Sequence, residues 1–277
     1  PFSVTGQPNA MGGREVGGLA NMLAAHMAIE DADARARVQR GVPMVGVTAS
    51  GGVLTLRVRY EGAATAHEVE RMLDEVVDRV EGILGDHVVR LEAEADYAGV
   101  PGLASRVGTL LAALQPGGRL VTVESCTGGM LGEVITDIPG SSTAFAGGFV
   151  TYANTMKEAL GVPGSLIAEH GAVSAPVAEA MALSGLHAAK ATHALAITGI
   201  AGPDGATPGK PVGTVFIALA IRGAGGPGPR ALPARRFQFT GERDDVRRRA
   251  CTSALSMLYF HLRGRAEGEP RLLWEVV

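Results

Sequence analysis

Cysteine is nearly absent: Cys126 and Cys251 are the only two in 277 residues. That is too few for a disulfide framework and reads as reduced thiols in an intracellular chain. An excess of one charge is also missing. The 25 basic and 28 acidic residues leave a formal charge of −3, which offers no electrostatic footprint for duplex nucleic acid. No apolar run approaches the ~20 residues of a membrane-spanning helix, and no basic-then-apolar leader opens the chain. A soluble, cytoplasmic protein is therefore expected, with no membrane or nucleic-acid partner. The histidines show no metal-ligand spacing, since His187 and His193 are separated by a helix end and no Cys-x-x-Cys occurs, so no metal is expected. No internal repeat or low-complexity tract is present.

What remains is organised in segments. Residues 1–40 are glycine-rich and then helical, too short for a core of their own, and are expected to have no independent fold. The stretch from Gln7 to Gly18 resembles a piece of molybdopterin-dependent nitrate reductases. It is too small to imply a redox role and reads as a fusion junction or a flexible extension. Residues 43–95 read as a β-β-α-β module. Val53 to Tyr60 alternates apolar and polar residues, and Val69, Met72, Leu73, Val76, Val77, Val80 and Leu84 recur at helical spacing before Gly85-Asp86. The turn-rich stretch 96–102 reads as a linker. From 103 to 265 strands and helices alternate, with strands near Leu120, Phe145, Ala194, Val212 and Arg236 and helices over Leu131 to Ile138, Ser174 to Ala189 and Glu242 to Leu262. That pattern predicts an α/β sandwich around a mixed sheet, preceded by a small α+β module.

Four places could carry chemistry. Glu124-Ser125-Cys126-Thr127-Gly128-Gly129 joins a buried strand to a helix, where free N–H groups favour an anion or a developing oxyanion; the plain alternative is a capped turn. Pro139-Gly140-Ser141-Ser142 precedes a strand that delivers Tyr152 and then Lys157, so a serine nucleophile could be served by a neutral lysine. On spacing alone the reading of Ser142 as a helix cap and Lys157 as a solvated charge is favoured. Thr198-Gly199-Ile200-Ala201-Gly202-Pro203-Asp204-Gly205 forms a polar loop at a strand end, where α/β proteins place ligands. Arg243, near the start of the last helix, could reach a phosphate, whereas Arg247-Arg248-Arg249 reads as a solvated face.

Taken in order, Glu-Ser-Cys-Thr-Gly-Gly, Pro-Gly-Ser-Ser, Thr151-Tyr152-Ala153-Asn154 with Lys157, Gly171-Ala172-Val173-Ser174, Thr-Gly-Ile-Ala-Gly-Pro-Asp-Gly and Gly209-Lys210-Pro211-Val212-Gly213-Thr214 resemble the C-terminal domain of the CinA family. That family includes nicotinamide-nucleotide amidases. The module before it resembles the family's KH-like middle module but lacks the Gly-x-x-Gly loop that clamps nucleic acid. The resemblance implies hydrolysis of the carboxamide of nicotinamide mononucleotide, with neither metal nor organic cofactor. It places Ser142 as nucleophile, Lys157 as its base and Tyr152 as a supporting phenol. Ser125, Thr127, Gly128, Thr198, Gly199 and Arg243 are implied as substrate contacts. The rival expectation is a non-catalytic nucleotide-binding module, and assembly into a homo-oligomer is left open.

Overall fold

The computed structural model describes residues 2–6, 43–50, 53–59, 64–84, 88–90, 100–114, 117–222, 228–265 and 270–276. The chain divides into two compact units, Pro1–Gly102 and Leu103–Val277. The junction motif Gln7 to Gly18 and most of the stretch 96–102 lie outside the described residues.

In the first unit, β2 (Met44–Ser50) and β3 (Val53–Arg59) form an antiparallel hairpin, followed by α1 (Ala66–Leu84) and β4 (Val88–Arg90). Thr65 and Glu68 start α1 as a capping box: the carboxylate takes the Thr65 N–H at 2.9 Å, and the threonine Oγ1 takes the Glu68 N–H at 3.4 Å. The apolar stripe of α1, with Val77 and Val80 at its centre, packs on Leu56 and Val58. Of residues 1–40, expected to have no independent fold, residues 2–6 are described. Phe2–Gly6 forms a strand, β1, inserted between β3 and β4 and parallel to both. The main chain of a strand can fill a sheet position with little help from local pattern, so five residues at the edge of a glycine-rich segment suffice.

The second unit is an α/β sandwich around a mixed sheet. After α2 (Val100–Ala113) come β5 (Leu120–Glu124), α3 (Met130–Thr136), a 3-10 turn (Ser141–Thr143) and β6 (Phe145–Val150). Two short helices follow, α4 (Asn154–Leu160) and α5 (Gly164–His170), which the sequence pattern did not mark. Then come α6 (Ala175–Ala188), β7 (His193–Gly199), β8 (Thr214–Arg222), β9 (Pro229–Ala231), β10 (Arg235–Gln238), α7 (Arg243–Leu262) and β11 (Glu275–Val276). The spatial order is β11-β10-β8-β7-β5-β6, with β9 beside β8. β5 runs parallel to both β6 and β7, and the remaining pairs are antiparallel.

β5 and β7 are buried almost throughout because both faces of the sheet are covered. Val177, Ala178, Met181, Ala182 and Leu186 of α6 pack on Val121, Val123, Ala194 and Ala196. Small residues bring this helix close: a Cβ on Gly185 would lie 2.3 Å from a Val123 methyl. The parallel arrangement has one consequence for function. The C-terminal ends of β5, β6 and β7 lie side by side, and the loops that leave them meet there.

Candidate active site

Ser125 follows directly on β5, the strand flanked by β6 and β7. Its position is fixed by continued main-chain pairing, with the Ser125 N–H donating to Ile197 O at 2.9 Å and the Thr151 N–H donating to Glu124 O at 2.8 Å. Lys157, on α4 beyond β6, points back toward the sheet and is only 1% exposed. Its Nζ lies 3.2 Å from Ser125 Oγ, 2.8 Å from Thr151 O and 3.1 Å from Tyr152 O. Burial holds its pKa below the ordinary lysine value, because removal from water penalises the charged form. A neutral amine in this setting has two N–H donors for the two carbonyls and one lone pair for the serine hydroxyl.

Cys126, the next residue, carries the other side chain of this loop that could act as a nucleophile. Burial pushes its thiol up to about 12, so it stays protonated and unreactive near neutral pH. The side chain of this loop that Lys157 Nζ contacts is the Ser125 hydroxyl.

The expected pairing of Ser142 with Lys157 is not what the fold builds. Ser142 lies on the exposed 3-10 turn before β6 and Lys157 beyond the end of that strand. Six strand residues at ~3.3 Å each hold them roughly 20 Å apart. The Ser142 carbonyl accepts from Arg119 Nη1 at 3.1 Å, which anchors the turn at the far end of the sheet. A cleft of about 300 Å³ opens at that end, lined by Val107, Leu111, Ile138, Ser141 and Phe145 among others. Its lining includes no ionisable side chain, so it supplies neither a base nor a cation for a phosphate.

The glycine loop after Ser125 differs from expectation as well. Its helix end is already filled: the Glu124 carboxylate accepts from the N–H groups of Gly129, Leu131 and Gly132 at 3.0, 3.0 and 2.9 Å. An anion at the start of α3 would displace a side chain, and the negative charge favoured there is the protein's own. No main-chain carbonyl among the described residues takes the N–H groups of Cys126 and Thr127. Gly128 is exposed with φ 60° and faces the guanidinium of Arg247.

Of the expected substrate contacts, Thr127 is fully buried and offers its carbonyl to Arg247 Nη2 at 2.8 Å. Thr198 is buried too and donates its hydroxyl to Ala172 O at 2.8 Å, tying the Gly171–Ser174 loop to the end of β7. Gly199 is required by packing, since a Cβ there would lie 2.9 Å from Thr214 O. The side chains of Thr127 and Thr198 and the close-packed Gly199 shape the walls and present no side-chain group to a ligand. Tyr152 is 60% exposed, and its hydroxyl accepts from Arg243 Nη2 at 3.1 Å. The phenol therefore accompanies Arg243 rather than Ser125. Arg243 also donates Nη1 to Gly202 O at 2.7 Å, so one guanidinium links the loops beyond β6 and β7 across the tip of β5.

Arg247, read from sequence as part of a solvated face, is the residue that sequence reasoning missed. It lies one helical turn after Arg243 and on the same side of α7. Among the described residues neither arginine has a carboxylate partner, whereas Arg248 pairs with Asp244 at 2.6 Å. The i, i+4 spacing was visible; the contact with the Ser125 loop was not. Among the described residues no cluster of three or more His, Cys, Asp or Glu side chains could hold a metal, and no helix is long and apolar enough to cross a membrane.

The model of the CinA C-terminal domain matches residues 102–262. The chain belongs to the CinA family. It is 49% identical over 159 residues to the nicotinamide-nucleotide amidohydrolase PncC of Escherichia coli K12, covering 57% of this chain and 91% of that one. A CinA-like protein of Anaeromyxobacter is 48% identical over 186 residues, covering 66% of this chain. The chain spans 41% of the length of that relative, and 38% of a competence-damage inducible protein of Symbiobacterium thermophilum that is 53% identical over 165 residues, 58% of this chain. Among solved structures, a CinA superfamily protein of Klebsiella pneumoniae aligns with a TM-score of 0.55 at 33% identity, covering 61% of this chain and all of that one. The competence/damage-inducible protein CihA of Agrobacterium tumefaciens gives 0.52 at 36% identity, covering 61% of this chain and 99% of that one.

Proposed function

We propose that the second unit hydrolyses the carboxamide of a nicotinamide nucleotide, nicotinamide mononucleotide above all, using Ser125 as nucleophile and Lys157 as base. The observation that carries this reading is the 3.2 Å approach of a buried lysine amine to the Ser125 hydroxyl, with two carbonyls taking the amine's other hydrogens. The similarity to PncC supports the substrate class.

Lys157 takes the proton of Ser125 as Oγ bonds to the amide carbon. The carbonyl oxygen becomes an oxyanion within reach of the Cys126 and Thr127 N–H groups. Lys157 returns the proton to the leaving nitrogen, the C–N bond breaks, and ammonia departs. Water, deprotonated by the same amine, then cleaves the ester to give the carboxylic acid and restore the serine. Arg243 and Arg247 supply positive charge at the mouth for the nucleotide phosphate.

The test is ammonia release from nicotinamide mononucleotide by the purified chain and its variants. Native protein turns the substrate over and Ser125→Ala does not. Full activity in Ser125→Ala overturns the assignment of the nucleophile, and an inactive native chain overturns the amidase reading.

A further inference from the structure

The start of α7 is held from two sides. Arg243 and Arg247 reach the loops around Ser125, whereas Arg249, two residues beyond Arg247, lies about 200° around the helix from it. Arg249 Nη1 donates to the Thr240 carbonyl and, at 3.1 Å, to the Thr240 hydroxyl. Thr240 stands in the turn between β10 and α7, three residues before Arg243. An indole covers this guanidinium, whose carbon lies 4.8 Å from the centre of the Trp274 ring, a cation–π distance. The same indole stands edge-on to Phe239, with centroids 5.7 Å apart. The Phe239 N–H donates to Gly213 O at 2.9 Å, and the Gly213 N–H donates to Ile200 O at 2.7 Å. Trp274 therefore bears on both things that fix Arg243: the turn from which its helix starts, and the loop after β7 whose Gly202 carbonyl it binds.

The segment that carries Trp274 is anchored on either side of it. Glu275 accepts from Arg235 Nε at 2.8 Å and from the Leu272 N–H at 2.9 Å, and Arg235 Nη2 donates to Pro270 O at 2.9 Å. Trp274 O accepts from the Gln238 N–H at 2.9 Å. Held in this way, Trp274 takes up φ 66°, a left-handed backbone that is an outlier for a bulky side chain. Such conformations persist where the surroundings over-determine them, and they cluster at ligand clamps.

We propose that Trp274, acting through Arg249 and Phe239, is a positioning residue for Arg243 and Arg247, and that the segment 270–276 thereby sets the affinity of the site for the phosphate of its nucleotide substrate. A guanidinium that grips phosphate through a fork of donors depends on its orientation, so loosening the turn at Thr240 weakens that grip. Ser125 and Lys157 are fixed instead by β5, β6, β7 and α4, and the chemical step is spared. The phosphate part of this inference rests on the amidase reading, but the link from Trp274 to the start of α7 does not.

The test compares the native full chain with Trp274→Ala on two substrates, nicotinamide mononucleotide and the same nucleoside without its phosphate. The expected result is a KM for the mononucleotide raised by about ten- to a hundredfold, the worth of one charge-assisted hydrogen bond, with kcat changed by less than about twofold. kcat/KM for the nucleoside should stay at its native value. Trp274→Phe keeps an aromatic face over Arg249 and should recover most of the affinity. Arg249→Gln, at a half-buried position, should give the same split and decides the matter where Trp274→Ala fails to fold. Hydrogen exchange tests the link without substrate: amides of residues 240–247 should exchange faster in Trp274→Ala, and those of residues 120–124 at the native rate. Equal losses on the two substrates, a fall in kcat at constant KM, or native exchange at residues 240–247 would reduce Trp274 to a stability residue and overturn the proposal. A native chain that releases no ammonia, with exchange at the turn still raised by Trp274→Ala, supports the link and counts against the amidase reading instead.

Discussion

At the scale of residues the decisive pair is Ser125 and Lys157. A general base must be able to lose its proton near neutral pH, and arginine cannot. Lys157→Arg is expected to lower turnover by roughly 10²–10⁴-fold, the usual range for a general base, with a smaller change in substrate binding. Steady-state kinetics of the purified variant checks this, and near-normal turnover would make Lys157 a structural residue. The pH profile follows from the direction of its shift. The amine is active when neutral, so kcat/KM rises with pH along a limb set by Lys157, and burial places that limb below the ordinary lysine value of 10.5. Adding bulk charge by salt should leave the limb in place, since desolvation rather than a neighbouring ion is its first cause. Lys157 was legible in the sequence as a candidate base, but its serine was not. Ser125 and Ser142 both sit on glycine-bearing turns beside strands, and only the parallel pairing of β5 with β6 decides which one meets the lysine.

At the scale of elements, the turn between β5 and α3 depends on one carboxylate. Glu124 is 2% exposed and satisfies three N–H groups that a seven-residue helix would otherwise leave without acceptors. Replacing it by alanine leaves buried donors unpaired, at about 1–3 kcal/mol for each that water cannot reach. Glu124→Ala is expected to lower the stability of the second unit by about 3 kcal/mol or more, measured as a fall in the urea midpoint. Turnover should fall with it, because Ser125 is the next residue. Unchanged stability would show that water replaces the carboxylate. The sequence allowed the opposite inference, an anion site at the helix start. A glutamate just before a glycine turn gives no sign of whether it faces solvent or folds back on the helix. The longer elements were easier to read: α1, α6 and α7 announced themselves by length, apolar residues and stop signals. The short helices α4 and α5 carried too few turns for a period to show.

At the scale of the whole molecule, the end of the sheet remote from Ser125 holds a buried histidine that couples the fold to pH. His193 begins β7, is 7% exposed, and lies edge-on to His261 of α7 with ring centroids 6.0 Å apart. Its pKa is lowered to about 4, first by burial and then by the charge of His261. The fold thus favours the neutral ring, whereas the unfolded chain binds a proton near the ordinary value of 6.5. Stability from this group is complete above about pH 6.5 and declines as pH falls toward about 4, where the unfolded state gains the proton first. A shift of this size corresponds to about 3 kcal/mol. Native protein should therefore show a urea midpoint that drops between pH 7 and pH 4.5, and His193→Asn should show a flatter dependence over the same range. Thr192 Oγ1 lies 2.9 Å from His193 Nδ1 and donates to Arg119 O at 3.1 Å, so the asparagine variant keeps a polar neighbour and isolates the titration. Equal slopes for the two proteins would place the acid sensitivity elsewhere in the molecule.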